Sequence, residues 1–324
     1  MREPVSQKRT IHILLRLISL AVALAIALLL FDINVNYQRS FDAPFPTLTA
    51  STDPEKIARG DYLVYGPARC ADCHGDPSQR PAIAAGKKAP LSGGFFEEIF
   101  LGTIRFPNIT PDLETGIGRL TDEQIARFMR TGINHSDAYG LPFMNYQRLS
   151  NADLVAILSF LRAQAPVGNA VEPTSYNFFG KLALAYFIRP EKREAAFADN
   201  IPATASIEYG RYLAEGMGSC RECHTRRSLK TGAYLGEFYA GGMVFDYPEK
   251  PELNLVSPGL LPDPVTGKVA GMNKEEFVAR MQSGLVLPWS PMPWGPFSRM
   301  TEADLEALYL YFSSLEPARD ISNP

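Results

Sequence analysis

Cys70-Ala-Asp-Cys73-His74 and Cys220-Arg-Glu-Cys223-His224 are two copies of one pattern, and together they use all four cysteines of the chain. Two thiols three residues apart can add across the two vinyl groups of one haem, and the adjoining histidine is then held against the iron from one face. A bare Cys-x-x-Cys is ambiguous among a redox disulfide, a zinc knuckle and a haem attachment. A histidine directly after both copies, with no cysteine left over, selects haem. A zinc ion shared by the two pairs would bridge ligands about 150 residues apart, far outside zinc-module spacing. The expectation is two covalently bound haem c groups, attached at Cys70, Cys73, Cys220 and Cys223, with His74 and His224 as iron ligands.

Working outward, the chain reads as one unit written twice. Gly60-Asp-Tyr62-Leu63 stands ten residues before Cys70, and Gly210-Arg-Tyr212-Leu213 ten before Cys220. Gly93-Gly94 answers to Gly241-Gly242, and Pro111-Asp112 with Thr115-Gly116 to Pro262-Asp263 with Thr266-Gly267. Helical patterns over 121–132 and 273–284 correspond, as do closing helices over 150–162 and 301–315, each opened by an N-cap hydroxyl and an early aspartate, Asp153 or Asp304. Offsets between copies stay within 148 to 152 residues. The expected organisation is an anchor over 1–36, a tether over 37–52, units over 53–168 and 205–317, a connector over 169–204 and a tail over 318–324. Gly60 and Gly210 are expected to let the first and last helices of each unit approach closely. Asp112 and Asp263 read as loop formers. In the connector, Gly180–Ile188 is a short apolar helix candidate whose plain reading is packing between the units; lying on a membrane or a partner is the other.

Composition suits a globular protein, with 46% hydrophobic and 21% charged residues among 324, and a net charge of −3 argues against nucleic acid. The run Ile11–Phe31 is almost wholly apolar and long enough to span a bilayer. Arg2, Lys8 and Arg9 precede it, which predicts an inside N-terminus and export of the remainder of the chain. A cleaved signal peptide would end in a small-x-small site, and Phe31-Asp-Ile-Asn-Val-Asn-Tyr37 offers none. Pro44 and Pro46 mark the tether.

The sixth position on each iron separates a carrier from an enzyme, because histidine plus methionine leaves no room for substrate. Met292, in Pro291-Met292-Pro293-Trp294, sits on a proline-stiffened loop before the closing helix; Met300 is the lesser candidate and suits the core. Pro142-Phe143-Met144 occupies the matching place in the first unit. Met144 lies nine residues before Asp153, whereas Met292 lies twelve before Asp304. The shorter loop keeps His135 and an open site as alternatives there. Met129 falls in a helical pattern, and His12 in the anchor.

The motif Gly60-Asp-Tyr-Leu…Cys70-Ala-Asp-Cys-His74, with Pro107-Asn108-Ile-Thr-Pro-Asp112 and Leu149-Ser-Asn-Ala-Asp-Leu154, resembles bacterial membrane-anchored c-type cytochromes. The likeness is strongest to cytochrome subunits of periplasmic alcohol, aldehyde or sugar dehydrogenases. It covers about 53–317. It implies an all-α protein, an N-terminal transmembrane helix followed by two tandem class I cytochrome c domains, with Met144 and Met292 as distal ligands. The chain departs from those subunits in carrying two haem motifs rather than three and in anchoring at its N-terminus. The resemblance implies one-electron transfer at the outer face of the cytoplasmic membrane and no catalysis of its own. The implied partners are a dehydrogenase, a quinol-oxidising complex or an oxidase, with membrane lipid around the anchor. A dihaem peroxidase-like enzyme with one open iron, or a haem-based sensor, are the competing readings.

Overall fold

The apolar N-terminal run cannot hydrogen-bond its backbone to lipid, so it must close those bonds internally. In the computed structural model, which describes residues 5–141, 143–144, 146–190, 198–228, 232–245, 250–263, 267–287 and 289–317, it forms one helix, α1 (Val5–Asn36). The stretch Arg9–Asn36 has a mean hydropathy of 2.8 and its apolar window is wholly exposed. At 1.5 Å per residue, Ile11–Phe31 covers roughly 30 Å, one hydrocarbon core.

The first repeat supplies α2 (Pro54–Tyr65), α3 (Cys70–His74), α4 (Arg80–Ala84), α5 (Asp122–Thr131) and α6 (Asn151–Ala163). A connector helix comes next, α7 (Phe178–Tyr186). The second repeat supplies α8 (Ile207–Tyr212), continued by a π-turn over Leu213–Met217, then α9 (Cys220–Cys223), α10 (Lys274–Gln282), α11 (Trp294–Phe297) and α12 (Glu302–Ser313). Matching local signals start matching helices. Thr121 with Gln124 and Asn273 with Glu276 form capping boxes at α5 and α10. Ser150 and Thr301 accept from the backbone N–H groups of Asp153 and Asp304 at α6 and α12. In each repeat the helix before the cysteine motif crosses the closing helix at a glycine. A Cβ at Gly60 would stand 1.9 Å from the Ala156 carbonyl oxygen, and one at Gly210 1.9 Å from that of Ala307.

The protein is mostly helical, and it departs from an all-α expectation in two small sheets. β1 (Phe96–Ile99), β2 (Gly102–Arg105) and β3 (Ser175–Tyr176) form an antiparallel sheet in that order, with Phe96 opposite Arg105 and Gly102 opposite Tyr176. β4 (Val244–Phe245) pairs with β5 (Leu255–Val256). Both grow from the Pro/Gly-rich loops after each cysteine motif, where extended chain satisfies its backbone groups by pairing with itself.

The repeats meet through exchanged tyrosines. Tyr62 of α2 donates its hydroxyl hydrogen to Asp304 of α12 and accepts the Thr301 N–H at 3.0 Å. Tyr212 of α8 donates to Asp153 Oδ2 of α6 at 2.8 Å and accepts the Ser150 N–H at 3.0 Å. Each tyrosine thus seals the closing helix of the other repeat. Arg59 Nη2 donates to the Tyr209 hydroxyl at 3.1 Å, and these two residues are themselves counterparts in the repeat. A position can meet its own counterpart only beside the axis relating the copies, so a pseudo-two-fold axis passes here. One contiguous apolar cluster runs through both repeats, from Leu63 and Leu154 to Leu305 and Phe312.

Two segments sit differently from their sequence reading. Residues 37–52 lie along the first repeat as a strap: the N–H groups of Phe41, Ala50 and Ser51 donate to Asp137 O, Asp122 Oδ2 and Ser159 Oγ at 2.9, 2.7 and 2.8 Å. Helix α7 packs on α1 and β3 rather than between the repeats. Its small, buried Gly180 fits under the β1–β2 hairpin, which only an element outside the repeat interface could reach.

Candidate functional site

Each cysteine motif is entered through a left-handed residue, Arg69 (φ 45°) or Ser219 (φ 48°), that turns the chain sharply into one turn of helix. A side chain there is strained by about 1 kcal/mol or more. Its presence at the same place in both repeats shows that the geometry is required. On that single turn the paired sulfurs, three residues apart, share one side. All four cysteines are half-buried and none is in a disulfide. Burial pushes the Cys70 and Cys220 thiols up to about 12 and Cys73 to about 11, the surroundings of an apolar group and not of a thiolate centre.

The histidines are oriented alike. His74 Nδ1 lies 2.8 Å from the Pro107 carbonyl oxygen, and His224 Nδ1 2.9 Å from that of Pro258. With Nδ1–H donated to a carbonyl, Nε2 carries the lone pair and is the nitrogen free to bind iron. Burial also lowers both imidazole pKa values, which keeps the rings neutral. The carbonyl is brought in by a glycine at positive φ. A Cβ on Gly93 would stand 2.4 Å from Pro107 C, and one on Gly241 2.6 Å from Pro258 C. The N–H of each of these glycines binds the backbone oxygen of the motif histidine, at 2.8 Å in both repeats.

In the second repeat, Cys220, Cys223, His224 and Met292 line one cavity of about 520 Å³. Met300, buried beneath it, lines the same space. Three cations border this apolar chamber: Lys268, Arg280 and Arg69. Arg280 lies over the Trp294 ring, 3.6 Å from its centroid, and its Nη2 is buried with no hydrogen-bond partner among the described residues. Arg69 comes into the lining from the first repeat, and its charge acts on both Cys73 and Cys223. The two attachment motifs therefore flank one guanidinium.

In the first repeat, the His74 ring meets Phe106 edge-on at 6.2 Å, and Phe106 meets Phe143 at 6.2 Å. Met144, next to Phe143, is half-buried against the core, while Pro142 lies outside the described residues. His135 is exposed on the turn bridged by Ile133 and Tyr139, beside the strap. Met129 is core. Asp112 Oδ1 accepts from the N–H of Glu114 and from both the N–H and hydroxyl of Thr115, holding a loop. Thr266 of the matching turn lies outside the described residues.

Comparison with known proteins agrees with this doubled cysteine–histidine geometry. The chain is 28% identical over 236 residues to the fructose dehydrogenase cytochrome subunit of Gluconobacter japonicus, covering 69% of this chain and 45% of that protein. It is 29% identical over 195 residues to a diheme cytochrome c-type protein of Cereibacter sphaeroides, covering 56% and 64%. The chain resembles the cytochrome c subunits of dehydrogenases. It is also 29% identical over 246 residues to the cytochrome c subunit of the quinone-dependent alcohol dehydrogenase of Gluconobacter oxydans, covering 72% of this chain and 48% of that one. The chain thus spans about half the length of the dehydrogenase subunits it matches. No protein-family model matches it.

The second-repeat cavity fits a haem: paired sulfurs, an oriented imidazole, a thioether sulfur, apolar walls and a buried cation with a free donor for a carboxylate. Sequence reasoning missed the carbonyls of Pro107 and Pro258, which act through backbone and carry no side-chain signal. It also missed Arg69 and Arg280. Neither has an arginine at the matching place in the other repeat, so the duplication gave no pointer to them.

Proposed function

We propose that the protein is a dihaem c-type cytochrome that passes single electrons at the outer, periplasmic face of the cytoplasmic membrane, held there by α1. The reading carries two class I cytochrome c domains, 53–168 and 205–317. Haem c is attached at Cys70 and Cys73 and at Cys220 and Cys223, with His74 and His224 proximal and Met144 and Met292 distal. The observation that carries it is the repeated histidine–carbonyl geometry behind each cysteine pair. The likeness to dehydrogenase cytochrome subunits supports a dehydrogenase as electron donor; a quinol-oxidising complex or an oxidase would take the corresponding place at the other end.

Haem, when bound, supplies a reversible one-electron iron couple. The chain's residues do the rest. The Pro107 and Pro258 carbonyls hold the imidazole proton on Nδ1, and the thioether sulfurs of Met144 and Met292 close the remaining position. Arg280 Nη2 holds a carboxylate edge, and the apolar walls exclude water. None of these groups forms a nucleophile or an acid–base pair, so the protein works as a relay rather than as a catalyst.

The test uses full-length protein extracted in detergent and characterised by haemochrome spectrum and redox titration. Two haems per chain, and no stoichiometric carbon monoxide binding on reduction, are expected. Met144→Ala and Met292→Ala should each lower one potential by about 0.1 V or more, within the roughly 0.8 V that axial ligands command, with both haems still attached. A ready carbon monoxide complex in the unmodified protein would sink the relay reading in favour of an open iron. Unchanged potentials in either variant would reject that methionine.

A further inference from the structure

A cluster of exposed aromatic rings belongs neither to the cysteine sites nor to the repeat interface. Phe100, at the tip of the β1–β2 hairpin, is 73% exposed, and Phe187, just after α7, is 76% exposed. Phe178 and Phe179 stand about half exposed at the start of α7. Phe100 stacks on Phe179 with centroids 4.9 Å apart, and Phe179 meets Phe178 at 5.6 Å. The arrangement is built. Asn177 caps α7 by accepting from the Gly180 N–H at 3.0 Å, and donates to the Phe100 carbonyl at 2.8 Å. The Leu101 carbonyl presses so close to Gly180 that a Cβ there would be 2.0 Å away. Hairpin tip and helix start are locked together with their rings outward.

The place of this cluster along α1 decides what it meets. Lys181 Nζ lies 2.8 Å from Asn34 Oδ1 and 5.0 Å from the centroid of the Tyr37 ring, and Tyr186 bonds Asp32. Ile33 is buried, at 1% exposure, on the helix that α7 packs against. The apolar run of α1 ends at Phe31. Helix α7 therefore rests against the first polar turn after the span, at the level where hydrocarbon gives way to lipid headgroups. That is the level at which aromatic side chains are stabilised in bilayers, and where amphipathic helices lie flat with rings turned toward the acyl chains.

We propose that Phe100, Phe178, Phe179 and Phe187 form a second membrane contact, a lipid-facing aromatic patch that seats the soluble part on the bilayer surface. The inference rests on α1 spanning that bilayer. Small, buried Gly180, Leu184 and Ala185 give α7 its protein-facing side, and the polar pairs from Lys181 and Tyr186 fix its rotation against α1. A rigid seat replaces a swinging tether.

The test places the full-length, haem-loaded protein in phosphatidylcholine vesicles doped with a phosphatidylcholine bearing a photoactivatable diazirine at the top of one acyl chain. After illumination, the protein is digested and its peptides are read by mass spectrometry. Adducts are expected in 96–101 and 178–187 as well as in 9–37, several-fold above those around Leu113, which is exposed at 63% far along the first repeat. Adducts in 9–37 without the other two segments would overturn the lipid patch, leaving anchoring intact and the rings to a protein partner. Absence of adducts in 9–37 would overturn anchoring itself, and the patch with it.

Discussion

Replacing Tyr62 or Tyr212 with phenylalanine removes one oxygen atom and leaves the ring in place, so it isolates the exchanged hydrogen bonds between the repeats. Each hydroxyl gives one bond to a carboxylate and takes one from a backbone N–H. A bond to a charged group contributes roughly 1.5–3 kcal/mol and a neutral one roughly 0.5–1.5 kcal/mol. Asp304 is buried, with 2% exposure, and Tyr62 is its side-chain hydrogen-bond partner among the described residues. Asp153 keeps Arg59 Nε at 3.0 Å when Tyr212 is changed. Tyr62→Phe should therefore cost about 3–4 kcal/mol and Tyr212→Phe about 2 kcal/mol. At roughly 2–4 °C per kcal/mol for a soluble part of this size, Tm should fall by about 10 °C and about 6 °C. The assay is thermal unfolding of the haem-loaded protein in detergent, monitored by far-ultraviolet circular dichroism. Losses below about 0.5 kcal/mol in both variants, the range of an unremarkable surface change, would refute the view that these hydroxyls hold the repeats together. A larger loss for Tyr212→Phe than for Tyr62→Phe would refute the account of why they differ.

Gly60→Ala and Gly210→Ala should each gain about 1 kcal/mol of helix propensity and still destabilise by about 2 kcal/mol net, because the added methyl meets backbone that cannot rotate away; a rise in denaturation midpoint would show that the helices separate freely. Arg280→Gln should lower the potential of one haem by about 70 mV, the worth of one charge acting over about 10 Å at an effective dielectric near 20. Potentials unchanged in a titration would remove Arg280 from the second site.

Much of the repeat was legible because short local signals fixed it. The capping residues Thr121, Asn273, Ser150 and Thr301 mark helix starts in the chain itself, and the glycines at 60 and 210 announce a close crossing. The cysteine–histidine spacing carries its own chemistry. What stayed hidden depends on partners far apart in sequence. Tyr62 and Asp304 are separated by 242 positions, and no periodicity links them. Lys181 reaches Asn34 across 147 positions, so the local pattern of α7 alone suits a filler between repeats and does not reveal its neighbour. The strands have a different cause: pairs of two to four residues in glycine-rich loops are too short to leave an alternating pattern.

The meeting of Arg59 with Tyr209 beside the pseudo-two-fold axis has a consequence for the direction of electron flow. Two separate, identical subunits would set like against like at that axis, arginine facing arginine, and would give both metal centres one and the same affinity for an electron. Joining the copies in a single chain frees each position to differ from its twin. Arg69 enters the neighbouring chamber while its counterpart is the uncharged Ser219, so one centre feels a foreign positive charge with no reciprocal gift. Broken symmetry of this kind turns a pair of equivalent stops into a slope.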